Sequence, residues 1–275
     1  MKVVYFGSDV FYSCFEYFFR EHQILALYTY HNEEDYFTEY AIVKKARQLG
    51  IPVHYESITQ EEITRYFTEE GCDLVFVAEY NRVLPIPENL PQFRGINTHS
   101  SLLPQGRSYY PIEAAMERGL TRSGVTMHKL APQLDQGDIL AQREVTITAG
   151  MDSIDIYLQC AAHAREMIAE IGKDLEKIWQ AARPQKEKLP YWKRPEDSLL
   201  TLHHEMNREA AQKVFRRYNS MTQVFLQGQW YYVTALSAGV SHLEEEARFL
   251  SERHLLFRVS DGHLRLQIRS TEEER

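Results

Sequence analysis

The chain has 275 residues, which is enough for one large domain or for a main domain with a smaller one. Hydrophobic residues make up 44% and charged residues 25% of the chain, proportions that are typical of a soluble globular protein. The formal net charge of −8 disfavours a role dominated by nucleic-acid binding, because phosphate recognition relies on a basic surface.

The cysteines and the apolar runs indicate the cellular compartment. Cys14, Cys72 and Cys160 are far apart and odd in number, so the sequence predicts neither a disulfide framework nor a metal site. The first residues, MKVVYFGSD, turn polar too soon for a signal peptide. No apolar run reaches the ~18 residues that a membrane-spanning helix needs. We therefore expect a cytoplasmic protein without membrane association.

Short apolar runs alternate with helix-like segments over the first 80 or so residues. This alternation predicts an α/β, Rossmann-like fold, with a mostly parallel sheet and helices on both faces. Ligands of such sheets bind at the carboxyl ends of the strands, although neither GxGxxG nor a P-loop is present. The predicted strands are 2–6, 23–29, 51–55 and 73–78, and the predicted helices are 11–21, 40–49 and 63–67.

The sequence pattern changes after a long predicted helix at 155–182. Residues 183–195 contain three prolines and six charged residues, which is typical of a linker. Beyond them we predict a helix at 205–217 and then a small, mostly-β, barrel-like domain with an Asp261-Gly262 hairpin. The predicted domains are 1–182 and 196–275, and the predicted short strands are 223–226, 230–235, 255–259 and 264–268.

Asn97, His99 and Asp135 are candidates for acid–base chemistry. An asparagine amide can donate to a carbonyl oxygen that gains negative charge, and a histidine can carry a proton between two nitrogens. A carboxylate beside the histidine fixes its tautomer. This set suits direct acyl transfer between nitrogens without a serine or cysteine nucleophile. From spacing alone a structural role for all three is equally open, with Asp135 as a turn residue beside Gly137.

Four motifs together resemble the folate-dependent formyltransferase family. They are NTHSSLLPxxR from Asn97, PIEAA from Pro111, SGVTMH from Ser123 and LDQGDIL from Leu134. The family includes methionyl-tRNA, glycinamide ribonucleotide and amino-sugar formyltransferases. The resemblance extends from Val3 to about residue 171, and the part beyond the linker resembles the small barrel that several members carry. It implies that 1–182 is the catalytic domain.

The resemblance also implies residue roles. Asn97 would polarise the formyl oxygen, His99 would carry the proton and Asp135 would hold His99. The formyl donor would be 10-formyltetrahydrofolate, and no metal is implied. The implied folate contacts are Asn81, Arg82 and Val83 in one loop, Ala131, Pro132, Gln133 and Leu134 in a second, and Ser101, Leu102, Leu103 and Pro104 in the nearby wall.

Residues near the motif bear on the acceptor. Arg107 matches the family arginine and could meet an anionic substrate group or form a structural ion pair. The family glycine after it is Ser108 here, and Tyr109 and Tyr110 follow. We expect Arg107 and Tyr109 to contact the substrate, with core filling as the alternative role for the tyrosines.

The segment TYHNEEDYFTEY at 29–40 has four acidic residues and no Lys or Arg. The transfer-RNA enzymes of the family carry a glycine-rich basic insertion here. This segment and the stretch from Glu79 to Arg82 are more similar to the amino-sugar members. We therefore expect an amino sugar on a nucleoside diphosphate as acceptor, with hydroxyornithine or methionyl-tRNA as alternatives. A non-catalytic folate-binding scaffold is the alternative of another class, and a homodimer is possible.

Overall fold

The computed structural model describes residues 1–31, 39–187, 189–239 and 245–271. Most of the acidic segment that bears on the acceptor, residues 32–38, lies outside the described residues, as does one position of the predicted linker. None of the helices in the described ranges is long and apolar enough to cross a membrane.

A seven-stranded sheet forms the centre of the first part of the chain. Its strand order is β3-β2-β1-β4-β5-β6-β7. The pairs from β3 to β5 are parallel, whereas β6 pairs antiparallel with both β5 and β7. The predicted mostly parallel, Rossmann-like sheet is therefore confirmed. The strands are β1 (Lys2–Gly7), β2 (Gln23–Tyr28), β3 (Val53–His54), β4 (Leu74–Ala78), β5 (Gly95–His99), β6 (Arg122–Lys129) and β7 (Ile139–Thr146).

Helices cover both faces of this sheet, as the apolar runs predict. In β1 the side chains of Val3 and Tyr5 enter one core, and those of Val4 and Phe6 enter the other. A strand buried on both faces must be apolar at every position, because its successive side chains point in opposite directions. The helices are α1 (Tyr12–Glu21), α2 (Ala41–Gln48), α3 (Gln60–Thr68), α4 (Pro111–Glu117), α5 (Ser153–Lys173) and α6 (Leu175–Gln180).

The prediction of one continuous helix at 155–182 is wrong, because two helices occupy this range. The range divides at Asp174, whose non-helical backbone (φ −155°, ψ 68°) ends α5. The Asp174 carboxylate accepts a hydrogen bond from the backbone N–H of Lys177 and so caps α6. A short acidic side chain satisfies the free N–H groups of a helix start better than it serves a helix interior. At the other end, Asp152 and Asp155 form a reciprocal capping box that begins α5.

The part of the chain after the linker forms a second, antiparallel sheet of order β10-β11-β12-β9-β8 with its own apolar core. The Asp261-Gly262 hairpin is confirmed, with Val259 pairing with Gly262 across the turn. The sequence patterns missed β10, which is half exposed. The elements are α7 (Asp197–Leu200), α8 (Arg208–Tyr218), β8 (Gln223–Leu226), β9 (Gln229–Gly239), β10 (Ala247–Ser251), β11 (His254–Val259) and β12 (Gly262–Ser270).

The turn after β1 is built without a phosphate-binding loop. Asp9 accepts hydrogen bonds of 2.8 Å from the backbone N–H groups of Ala41 and Ile42 at the start of α2. The Asp9 carboxylate thus satisfies two of the free N–H groups at the start of α2 and ties the turn after β1 to that helix.

Gly7 permits the close pairing of β1 with β4, and its replacement should destabilise the sheet. A Cβ at position 7 would overlap the carbonyl oxygen of Ala78. We expect Gly7→Ala to lower the free energy of unfolding by ~1–3 kcal/mol, the usual cost of overpacking. Urea titration measures this. Gly150→Ala is the matched control, because a Cβ there meets nothing within 4 Å. Equal stability of the two variants would contradict this account of the β1–β4 contact.

Candidate active site

Asn97 and His99 lie on β5, where the sheet changes from parallel to antiparallel pairing. Because they are two residues apart in a strand, their side chains point to the same face. On the neighbouring strand β6, His128 pairs directly with Asn97. The sequence patterns singled out Asn97 and His99. They did not single out the role of His128, although it ends the quoted SGVTMH motif.

Asp135 reaches this strand from the loop between β6 and β7. Its backbone has φ +55°, and the residue is 6% exposed. At Gly137 a Cβ would overlap the carbonyl oxygen of Lys129, so the loop must fold closely against the end of β6. This close return brings the Asp135 carboxylate beside β5.

Three side chains converge on one oxygen of Asp135. Its Oδ1 lies 3.4 Å from Asn97 Nδ2, 3.7 Å from His99 Nδ1 and 3.7 Å from His128 Nε2. The structure thus brings together the three residues predicted to be catalytic and adds a second histidine. The carboxylate is the one acidic group that all three share.

The hydrogen bonds of His99 determine its neutral tautomer. Nε2 lies 2.9 Å from the carbonyl oxygen of Gly106, which can only accept, so Nε2 carries the hydrogen. The lone pair is then on Nδ1, which faces Asp135. A proton taken up at Nδ1 would be stabilised directly by that carboxylate.

His128 has the complementary arrangement. Its Nδ1 donates to the carbonyl oxygen of Lys129 at 2.8 Å, and its Nε2 accepts from Asn97 Nδ2 at 3.0 Å. Burial lowers the pKa of His128 to about 4, which outweighs the opposing effect of Asp135. His128 is therefore neutral near pH 7 and holds the Asn97 amide in one orientation.

A cavity of about 490 Å³ opens over these residues. Its lining includes Ser100, whose buried hydroxyl group has no hydrogen-bond partner in the described parts of the chain. A cavity of this size with a few polar groups among apolar side chains is typical of a small-molecule site. The donor set fits a heterocyclic ligand such as a pterin, which offers both donors and acceptors.

The cavity contains seven of the residues predicted to contact folate or substrate. Arg82 is held in the wall by a hydrogen bond of 2.7 Å to the carbonyl oxygen of Tyr55. Tyr109 and Val83 are 55% and 69% exposed, so a ligand can reach both. The seven are Asn81, Arg82, Val83, Tyr109, Ala131, Pro132 and Leu134.

The remaining predicted contacts lie outside the cavity lining. The Leu103 backbone is tied to the sheet, since its N–H donates to Thr126 Oγ1 at 3.1 Å and its carbonyl accepts from Gln142. This bonding turns the wall segment away from the cavity and towards β6 and β7. The residues concerned are Ser101, Leu102, Leu103, Pro104 and Gln133.

Arg107 also points away from the cavity. Its guanidinium group donates to the carbonyl oxygen of Leu189, and its own carbonyl accepts from the Trp192 N–H at 2.8 Å. Both partners belong to the segment predicted as a linker. In this structure Arg107 therefore fastens that segment to the motif that begins at Asn97, and its predicted contact with the substrate stays a prediction.

The cavity also draws on parts of the chain that the sequence patterns did not connect with it. The linker contributes Tyr191 and Arg194, and the second sheet contributes Tyr232 and Arg269. The linker and the second sheet therefore form part of the cavity wall. No local sequence signal marks these residues, because they approach β5 only through the packing of the second sheet and the linker against the first part of the chain.

Comparison with known proteins identifies the family. A model described as "Formyl transferase" matches residues 30–171, more than half of the chain. The chain belongs to the formyl transferase family. This membership confirms the resemblance carried by the four sequence motifs.

Several named proteins are similar to this chain in sequence or in fold. A methionyl-tRNA formyltransferase of Sulfurihydrogenibium is 32% identical over 57% of this chain and 52% of its own length. HypX from Aquifex aeolicus, solved with tetrahydrofolic acid, has a TM-score of 0.71 at 17% identity and covers 98% of this chain and 44% of its own. A sugar N-formyltransferase from Shewanella has a TM-score of 0.63 at 17% identity, covering 88% and 99%. The chain spans about half the length of the curated formyl transferase relatives it matches.

Within the described ranges, no group of three or more His, Cys, Asp or Glu side chains is arranged to hold a metal ion.

The buried neutral His128 predicts a pH-dependent stability. The pKa of His128 is lowered to about 4 in the folded chain from 6.5. The unfolded chain therefore binds more protons between these values, and stability falls as the pH drops below about 6.5. The expected loss at pH 5 is about 2 kcal/mol. Urea unfolding at pH 7 and pH 5 measures it, with His128→Gln as the non-titrating control. An identical pH dependence for both proteins would contradict this interpretation.

Proposed function

We propose that this protein transfers a formyl group from 10-formyltetrahydrofolate to a primary amine. The observation that carries the proposal is the convergence of Asn97 and His99 on the buried Asp135 carboxylate at the inner end of the cavity. Folate bound in the cavity would supply the formyl group on a nitrogen atom. The family membership and the tetrahydrofolic acid complex of HypX support this donor.

Asn97 is placed to stabilise the formyl oxygen. One hydrogen of its amide is taken by His128 at 3.0 Å, which fixes the orientation of the group. The other makes only a long contact of 3.4 Å to Asp135 and is available to the formyl oxygen as that oxygen gains negative charge. A preorganised donor of this kind contributes most where water is excluded.

His99 and Asp135 handle the proton. The lone pair on His99 Nδ1 can accept the proton that the attacking amine loses and return it to the departing nitrogen. Asp135 stabilises the charged histidine between these two steps. Neither step requires a covalent bond to the protein.

The thiols of the chain give further support for direct transfer. Burial raises the pKa of Cys14, Cys72 and Cys160 to about 12 in each case. None of them is among the residues that line the cavity. A thiolate nucleophile is thus not supplied to the site at neutral pH.

For the acceptor we propose an amino sugar attached to a nucleoside diphosphate. Tyr80 and Arg82, from the stretch that resembles the amino-sugar members, line the cavity. Arg194 and Arg269 lie in its wall, where guanidinium groups suit the phosphates of such a substrate. The fold similarity to sugar N-formyltransferases supports a cavity of this type.

Methionyl-tRNA is the second candidate acceptor. The relatives at 30–38% identity are named methionyl-tRNA formyltransferases. Against it stand the net charge of −8 and the four acidic residues in 29–40, which would repel a phosphate-rich acceptor stem. The small amine hydroxyornithine remains the third candidate. The domain limits 1–182 and 196–275 and a homodimer stay predictions.

Replacing the two residues of β5 tests the catalytic part of the proposal. We expect Asn97→Ala to lower kcat by ~10²–10³ and His99→Ala by ~10²–10⁴, the usual contributions of an oxyanion donor and an acid–base group. Formyl-amide formation, followed by mass spectrometry, gives the rates. The exposed Asn89→Ala and His203→Ala are matched controls that should retain the wild-type rate.

The same assay identifies the acceptor when it is run with a panel. The panel comprises amino sugars on UDP, dTDP and GDP, then hydroxyornithine, then methionyl-tRNA. Formylation of one sugar nucleotide, abolished by His99→Ala, is the expected result. A wild-type protein that binds 5-formyltetrahydrofolate yet formylates no member of the panel would favour the scaffold alternative. Full activity of both active-site variants would refute the assigned roles.

A further inference from the structure

Glu79 is an acidic residue of the cavity that the proposed reaction has not yet used. It follows β4 directly and has φ +59°, a left-handed backbone conformation that non-glycine residues rarely adopt. This conformation places the residue in the lining of the cavity, together with His99. The surrounding structure must hold it there, because the conformation is unfavourable for a glutamate on its own.

The Glu79 carboxylate has no hydrogen bond or ion pair among the residues that the structure describes. The groups that interact with it electrostatically are Tyr30 after β2, His99 on β5, Glu113 on α4 and Tyr157 on α5. Of these, only His99 can become positively charged. Burial raises the pKa of Glu79, and the charge of His99 opposes the rise.

Glu113 does not neutralise this acidic character. Burial raises its pKa to about 7, while the Tyr157 hydroxyl donates to its carboxylate at 3.1 Å. Glu79, which lines the cavity, and Glu113, which interacts with it electrostatically, both lack a lysine or arginine partner in the described parts of the chain. Such an arrangement attracts a cation that comes from outside.

Tyrosine rings surround the same part of the cavity. The ring of Tyr30 lies 5.7 Å from that of Tyr40 and 6.4 Å from that of Tyr80, and all three line the cavity with Glu79. Aromatic faces attract ammonium groups, and a carboxylate beside them strengthens the preference. Ser100, fully buried and without a partner for its hydroxyl in the described residues, adds a hydrogen-bonding group to the lining.

We propose that Glu79 binds the ammonium form of the acceptor and removes the proton that the amine must lose before it attacks. The N–H bond of the ammonium breaks, an O–H bond forms on the Glu79 carboxyl, and the electron pair stays on nitrogen. The neutral amine then has its lone pair free for the formyl carbon held by Asn97. The proton on Glu79 returns to solvent through the open cavity. This proposal rests on the proposed formyl transfer and deepens it.

The proposal restricts the class of acceptor. A carboxylate at this position attracts an amine that arrives charged, and it repels a thiolate or a carboxylate. A neutral hydroxyl group in the same place gains no ionic contact. Glu79 is therefore both a catalytic residue and a residue that selects amines.

A binding comparison tests the selection without requiring turnover. D-Glucosamine and D-glucose differ by an ammonium group in place of a hydroxyl, and saturation-transfer NMR gives their affinities in the presence of 5-formyltetrahydrofolate. We expect the wild type to prefer glucosamine by at least about 10-fold, which corresponds to ~1.4 kcal/mol. Glu79→Gln should abolish the preference. Glu88→Gln, at an exposed position, should retain it. A wild type without the preference, or a Glu79→Gln variant that keeps it, would overturn the proposal.

Two further measurements distinguish this proposal from a folate-binding role for Glu79 and from a failure of the proposed formyl transfer. Glu79→Gln should bind 5-formyltetrahydrofolate with wild-type affinity, and a large loss of folate affinity would reassign Glu79 to the donor. For an amine that the wild type formylates, the variant should lose ~10²-fold or more in kcat/KM. An unchanged kcat/KM would overturn the base role while leaving Asn97 and His99 in place. Failure of formyl transfer to every amine would instead count against the proposed function itself.

Discussion

The site depends on one buried carboxylate, that of Asp135. An acidic group that is 6% exposed must be compensated by hydrogen bonds or by charge, and here an amide and two imidazoles surround one of its oxygens. The geometry exists because β5 and β6 place Asn97 beside His128 and because the loop at Gly137 returns closely to β6. The sheet register and the loop conformation are thus both constraints on the chemistry.

The two histidines of the site differ because backbone carbonyls bind different ring nitrogens. Gly106 occupies Nε2 of His99 and leaves Nδ1 for the proton transferred in the reaction. Lys129 occupies Nδ1 of His128 and leaves Nε2 for Asn97. In the proposed reaction two identical side chains therefore have separate tasks, one as proton carrier and one as a neutral support. Backbone hydrogen bonds and burial decide which ring nitrogen carries the hydrogen in each histidine. The sequence motifs contain no information about either.

Local patterns predicted the parallel strands β1 to β4 and the helices that alternate with them, because these follow from short-range periodicity. Only the family motif favoured a catalytic role for Asp135 over a structural one, since an Asp near a Gly is equally a turn former. The roles of His128 and Glu79, the inward face of the second sheet and the linker contact of Arg107 arise from residues far apart in sequence. A spacing argument has no access to such contacts. The break at Asp174 shows the same limit on a smaller scale, because a capping aspartate and a helix-interior aspartate look alike in sequence.

Direct transfer between two nitrogens is the central claim of this account, and a single turnover with an isotopically labelled formyl donor tests it. The protein, in excess over labelled 10-formyltetrahydrofolate, would be mixed with the acceptor amine, and the masses of product and intact protein would be followed over time. If transfer is direct, the label passes to the amine as a formamide and the protein mass never changes. A formylated protein that forms and decays at the rate of the reaction would contradict it.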